Sequence, residues 1–348
     1  MNHVAVVLIA VALLSAPLPE GDTGIASRHP GDAGIASDPA VLFHDDFEGA
    51  SSVADLRLKW DAVYHDATTR IAQEPANVHA GARAVEFRVP QQGTELSNKI
   101  AKLLAPERDT VFLRYYSKFE AGFDQVGSSH NGGSISAHYH VNGQATPGVP
   151  ANGTNKFLVD FENFRFDPAE TSPGKLNVYV YWPEQATNYG DHFFPSGKVV
   201  PFSSTRSGAA TFGPTFVGRP DIIPELDRWY CFEFMVQANT VGQRDGKIAC
   251  WLDGRLIAEF PNLRFRDIDT LKIDRIGVGL HIGSNTIREN RKWYDDVVIA
   301  TAYIGPMSSA ASGGGGGGGG GCSASGRTGS LSAAFLGVAL LLAARRFR

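Results

Sequence analysis

The sequence predicts an all-β fold, a β-sandwich of two antiparallel sheets, on three observations. Short runs alternate apolar and polar residues with period two. Clusters of Gly, Pro, Asn and Asp separate them, and no long helical periodicity appears anywhere. The runs include Ala84 to Val89, Thr110 to Phe119, Lys156 to Phe161 and Leu176 to Trp182. The best helix candidate is short, Asp55 to Lys59. This pattern favours a sandwich or jelly roll spanning residues 40–306 over any α/β fold.

The two ends read differently from the middle. Val4 to Leu14 is an apolar run followed by Ser15-Ala16-Pro17, the pattern of a secretory signal peptide over residues 1–16. Its first residues lack Lys and Arg, and the competing reading is a buried strand. Residues 17–39 contain a decapeptide repeat. Gly21-Asp-Thr-Gly-Ile-Ala-Ser-Arg28 recurs as Gly31-Asp-Ala-Gly-Ile-Ala-Ser-Asp38, and its composition predicts a flexible linker. At the other end, nine glycines, Gly313 to Gly321, precede Cys322 within a Gly-rich linker over residues 307–330. Residues 331–348 hold an apolar stretch and a terminal Arg345-Arg346-Phe347-Arg348. This tail resembles the C-terminal sorting signals of myxobacterial surface proteins. The resemblance implies processing near Cys322 and display at the cell surface; a plain transmembrane anchor is the alternative. Either way the expected location is outside the cell, with membrane contact only through that tail.

Two cysteines fall inside the domain. Cys231 and Cys250 lie in aromatic-rich runs flanking the turn-like Asn239 to Gly246, an expected hairpin with its centre midway between them. In an oxidising compartment this suggests a cross-strand disulfide, with two buried thiols as the alternative. A formal net charge of −4 argues against bulk electrostatic binding of nucleic acid or anionic membrane.

Candidate site residues follow from asking which polar side chains recur at alternate strand positions, because those share one face. Ser134 to His140 offers His138 and His140. Asp160 to Phe166 offers Asn163 and Arg165. Asn177 to Trp182 offers Asn177, Tyr179 and Tyr181, with Val178 and Val180 facing the core. Arg, Asn, His and paired Tyr suit β-elimination on a uronic-acid glycan. A cation or amide neutralises the carboxylate so that the neighbouring C5 proton can leave, and a phenol serves as base or acid.

Asn163-x-Arg165 followed by Tyr179-x-Tyr181 resembles the groove strands of polysaccharide lyase family 14, alginate and glucuronan lyases with a jelly-roll fold. Gly132-Gly133 resembles that family's glycine-pair segment, although Ser134 stands where the family has lysine. Phe43 to Gly49 and Trp293 to Thr301 resemble the paired terminal strands of concanavalin-like jelly rolls, and Asp253-Gly254 resembles a hairpin turn of that fold. The family resemblance implies catalytic positions at Arg165, Tyr179 and Tyr181, with Asn163 in place of a serine and His138 or His140 assisting. Asn177, Trp182, Lys156 and His192 are expected to bind substrate, and the partner is expected to be an acidic polysaccharide.

Other readings stay open. The tyrosines could stack on sugars without chemistry, as in a carbohydrate-binding or adhesion module. His138 and His140 could chelate zinc; no third ligand has a diagnostic spacing, although His192 and His281 are available. Asp45, Asp46, Asp295 and Asp296 could hold a structural Ca²⁺ or serve as turn caps. No cofactor is required. A laminarinase-type hydrolase would need a Glu-x-Asp-x-x-Glu strand, and the nearest run, Asp160-x-Glu162, lacks the third carboxylate.

Overall fold

Large β-branched and aromatic side chains at alternate positions build two antiparallel sheets that face one another. The computed structural model describes residues 17–202, 212–283 and 287–309. One sheet runs in the order Arg255–Leu263, Gly246–Leu252, Tyr230–Gln237, Thr110–Phe119, Asn290–Ala300, Ala84–Val89 and Thr69–Ala72, with Val41–Asp45 also paired to Asn290–Ala300. The other runs Val199–Pro201, Asp191–Phe193, Lys175–Tyr181, Phe157–Phe164, Gly133–Ala137, Ile273–Ile282, Leu96–Arg108 and Ala62–Tyr64, with Ser129–His130 joining Ile273–Ile282. This is the all-β sandwich that the sequence pattern predicts. The first and last long strands pair, Phe43 opposite Ile299 and Asp45 opposite Val297. Asp253 and Gly254, at φ 49° and 75°, make the two-residue turn between Leu252 and its partner Arg255. Instead of Asp55 to Lys59, the helix is a single turn two residues earlier, Val53–Leu56, whose Asp55 carboxylate accepts the Ser51 and Ser52 N–H groups.

Between the sheets lies one continuous core. Phe157, Val159, Phe161, Leu176, Val178 and Val180 meet Leu113, Tyr115, Phe232 and Phe234 from the facing sheet. Phe161 sits 5.8 Å and 5.7 Å, centroid to centroid, from Phe232 and Phe234. Parity follows from this: any residue an odd number of positions from these anchors points away from the core.

Three expectations need correction. Residues 17–39 are not a loose linker. Ile25 and Ile35, one from each copy of the repeat, are buried with Phe112, Met235, Trp251 and Val298 on the outer face of the first sheet. The Ile25 and Ala26 N–H groups donate to the Tyr303 and Ile304 carbonyls, and Asp32 forms a fully buried ion pair with Arg114. Gly24 is required there, because a Cβ would sit 2.2 Å from the Ile304 carbonyl oxygen. Low hydrophobicity hid this packing; two isoleucines at a ten-residue spacing were its main apolar signal.

The cysteines are not joined. Both are buried free thiols. Phe234 is the partner of Cys250, three residues from Cys231. That odd offset puts Cys250 in the central core and Cys231 on the opposite face. The hairpin register is displaced from the midpoint between the cysteines, so their side chains cannot meet.

The strand beginning at Gly133 ends at Ala137, and His138 turns away at φ 50°. His138 and His140 therefore do not share a strand face. The signal-peptide region, the Gly-rich segment beyond residue 309, Cys322 and the apolar tail lie outside the described residues.

Two outcomes test the packing. Ile35→Ala should cost about 2–5 kcal/mol in urea unfolding, as a buried Ile truncation does, whereas a loose linker would give no change. In a Cys322→Ser chain, a thiol reagent should find no reactive cysteine in the native protein and two after denaturation.

Candidate functional site

On the outer face of the second sheet, alternate positions of five neighbouring strands converge on a groove of about 420 Å³. Phe157–Phe164 sends Leu158, Asp160 and Glu162 to this face, because Phe157, Val159 and Phe161 occupy the core. Lys175–Tyr181 sends Asn177, Tyr179 and Tyr181. The register sets Asp160 opposite Tyr179, Leu158 opposite Tyr181, and His192 beyond Tyr179. On the other side, Gly277 and Gly279 clear the floor so that Lys99 can cross it. A Cβ on Gly277 would stand 2.6 Å from Lys99 Cε. His130 and His281, paired across adjacent strands with rings 5.2 Å apart, complete the wall.

The aromatic end is a small cluster of its own, Tyr139, Leu158, Ala151, Tyr179 and Tyr181. The Tyr179 hydroxyl accepts the Gly190 N–H at 2.9 Å and the Tyr181 hydroxyl accepts the Gly148 N–H at 3.3 Å. Tyr179 and Tyr181 are only 2 % and 1 % exposed, so neither offers an open ring face to the groove. Burial, reinforced by Tyr181, pushes the Tyr179 pKa far above a phenol's ordinary range. The Lys156 ammonium donates to the Thr146 carbonyl and hydroxyl and lies 4.5 Å and 4.8 Å from the Tyr139 and Tyr181 ring centroids.

The polar end centres on His130. Its Nδ1 is 2.9 Å from Glu162 Oε2 and 3.8 Å from Asp160 Oδ2, and its ring lies 4.8 Å from that of Tyr179. Burial pulls the His130 pKa down, but Glu162 and then Asp160 overcome it and the net shift is upward. Burial raises both carboxylates, against His130 for Glu162 and against Lys99 and His130 for Asp160. Burial likewise lowers the Lys99 ammonium. His140, His192 and His281 are neutral near pH 7, because burial holds each at about 3.

The expected residues divide sharply. Tyr179, Tyr181 and His140 line the groove, and Asn177 and His192 lie on the same face. Asn177 Oδ1 is 2.9 Å from His192 Nδ1, so these two hold one another beneath the surface. Asn163 and Arg165 are not there. Asn163 shares the parity of Phe161, and its amide donates to the Gly174 carbonyl. The Arg165 guanidinium lies past the end of the strand, paired with Asp124 and the Pro168 carbonyl. The error is one of parity: Asp160 and Glu162 occupy the groove positions. His138 pairs with Glu107 at 3.0 Å, away from the groove. Trp182 is a core residue whose indole N–H donates to Asp191. Lys156 sits behind the tyrosines.

The four aspartates of the terminal strands are held by the protein itself. Asp45 accepts from Lys59 and Trp60, Asp46 from the Glu48 N–H, Asp295 from the His79 and Ala80 N–H groups, and Asp296 pairs with His79. Among the described residues, the group with metal-ligand spacing is His130, Asp160 and Glu162 instead.

Sequence reading missed Lys99, His130 and Tyr139, and considered His281 only as an available metal ligand. Asp160 and Glu162 were legible from Phe157-x-Val159-x-Phe161, whose bulk marks the core face. His130 carries no such signal, because a two-residue strand places it.

No family model and no curated protein matches this chain. Solved structures of similar fold do exist. A variant of alginate lyase Aly36B in complex with an alginate trisaccharide aligns at a TM-score of 0.53 and 15 % identity, covering 76 % of this chain and 99 % of that one. The marine PL-14 alginate lyase from Aplysia kurodai gives 0.52 and 14 %, over 75 % and 99 %. Alginate lyase vAL-1 from Chlorella virus gives 0.52 and 13 %, over 76 % and 100 %. The jelly-roll fold of these lyases is therefore shared.

Lys156 offers a test of the site's dryness. Burial holds its pKa at about 8, below the ordinary 10.5. The unfolded chain then binds more protons between those values, so the penalty is fully present below pH 8 and is relieved as pH rises toward 10.5. The stability of the native chain relative to Lys156→Met, measured by denaturant unfolding, should climb across that range. A flat difference would mean a solvated ammonium.

Proposed function

We propose that the groove cleaves an acidic, uronic-acid polysaccharide by β-elimination. The observation that carries this reading is the meeting of Tyr179, Tyr181 and Lys99 on one groove face, on a fold whose similar solved structures include alginate lyases. Lys99 supplies the positive charge that Arg165 does not. Its ammonium, whose charge burial disfavours, pairs with the uronate carboxylate and makes the C5 proton more acidic. Tyr179 stays protonated through the physiological range and donates to the leaving glycosidic oxygen. The C5 proton passes to Tyr181 or to His140, whose Nδ1 has no hydrogen-bond partner among the described residues.

A binding module that stacks sugars on Tyr179 and Tyr181 would need open ring faces, which neither residue offers. The full chain incubated with alginate, glucuronan and glycosaminoglycans should generate the ultraviolet absorbance of an unsaturated uronate. Tyr179→Phe should lower kcat/KM by about 10²–10⁴-fold, with His138→Ala unchanged. Tyr181→Phe and His140→Asn identify the base by which of them abolishes turnover. Glycan retention without absorbance would replace the lyase by the binding module.

We also infer that the protein is exported and held at the cell surface. The apolar run Val4 to Leu14 and the Gly-Cys, apolar and Arg-rich tail around Cys322 support this reading.

A further inference from the structure

We propose that His130, Asp160 and Glu162 bind a first-row divalent metal ion, of the Mn²⁺ or Zn²⁺ class, in the floor of the groove. One imidazole nitrogen and two carboxylate oxygens lie within 4.8 Å of one another. His130 Nδ1 is 2.9 Å from Glu162 Oε2 and 3.8 Å from Asp160 Oδ2. Donors bound at about 2.0–2.2 Å to one ion stand roughly 3–3.5 Å apart, so small side-chain movements bring all three onto a common centre.

A second observation is independent of this spacing. Asp160 and Glu162 are 7 % and 1 % exposed, yet Asp160 Oδ1 and Glu162 Oε1 have no hydrogen-bond partner among the described residues. The nearest titratable partners of these carboxylates there are histidines: His130 for both, and the neutral His192 at 3.9 Å from Glu162 Oε1. Lys99 is close enough to act on both charges through space but makes no ion pair with either. Two buried carboxylates cost several kcal/mol each when left uncompensated, and a dication held by the oxygens nearest His130, Asp160 Oδ2 and Glu162 Oε2, neutralises both groups.

The donor set selects the ion. A nitrogen with two oxygens suits Mn²⁺ or Zn²⁺, whereas Ca²⁺ favours oxygen throughout. His192, fixed at Nδ1 by Asn177, stands behind Glu162 as an outer support. Three protein donors leave positions open toward the groove beside Tyr179. Resting on the lyase reading, the ion would there receive the uronate carboxylate. This would let an acidic glycan approach a floor that carries two carboxylates.

The test is calorimetry on the metal-stripped full chain with MnCl₂, ZnCl₂ and CaCl₂. One equivalent of Mn²⁺ or Zn²⁺ should bind, with thermal stabilisation. The near-isosteric Asp160→Asn and Glu162→Gln should weaken binding by at least about 100-fold, while His138→Ala, at the exposed pair with Glu107, binds as the native chain does. Thermal melts of the metal-free variants confirm that they fold. Binding abolished by both variants supports the site whether or not any glycan is cleaved. Absence of binding, equal binding by Glu162→Gln, or a preference for Ca²⁺ overturns it, even if the unsaturated product forms.

Discussion

The packing of Phe157, Val159 and Phe161 against Phe232 and Phe234 fixes which side of the second sheet faces outward, and the site depends on that choice. A one-residue slip would drive Asp160 and Glu162 into an apolar core and expose three large side chains. Adjacent strands obey the same parity. Val178 and Val180 lock Tyr179 and Tyr181 outward, and Phe193 does so for His192. A handful of apolar contacts between the sheets thus positions side chains more than a sheet's thickness away. The groove strands need no special conformation to present their chemistry.

The same sandwich is braced from the opposite face. Ile25, Ile35 and the Asp32–Arg114 pair close the outer surface of the first sheet, and Glu233 accepts the Ile304 and Gly305 N–H groups at the end of the domain. Arg114 is wholly buried, so Asp32 is what makes its charge tolerable. The decapeptide repeat is therefore part of the fold, and the sheet that backs the groove strands is covered on both faces.

Much of the architecture was legible. Period-two runs located Ala84–Val89, Thr110–Phe119 and Lys175–Tyr181 within a residue. Phe157–Phe164 runs three residues further than expected, and Leu96–Arg108 and Ile273–Ile282 gave no such signal. The terminal-strand pairing and the Asp253-Gly254 turn followed from local residue chemistry. Failures came where the answer depends on register or on long-range contact. Cys231 and Cys250 were assigned to one face because hairpin register was taken from the loop's midpoint. Asn163 and Arg165 were assigned to the groove because a polar pair was sought, when the apolar triplet beside it carries the stronger constraint. Burying Phe161 is worth about 1.5–3 kcal/mol, and a polar residue at a strand end has no comparable hold on orientation. Lys99, His130 and His281 come from three separate strands, so their convergence is a property of topology alone.

Relocating Arg165 changes the electrostatic problem that the groove must solve. An arginine beside the tyrosines would have attracted an acidic glycan unaided. The groove instead carries Lys99 above two buried carboxylates, so its charge balance depends on what else sits at His130. Protonating His130 provides one positive charge, shared between Asp160 and Glu162. A divalent ion held with His130 by both carboxylates provides two. The low-dielectric surroundings strengthen either arrangement, because burial that penalises lone charges also amplifies their attraction to a partner. Recognition of an acidic substrate here is therefore governed less by counting cations along the groove than by how completely its floor is neutralised.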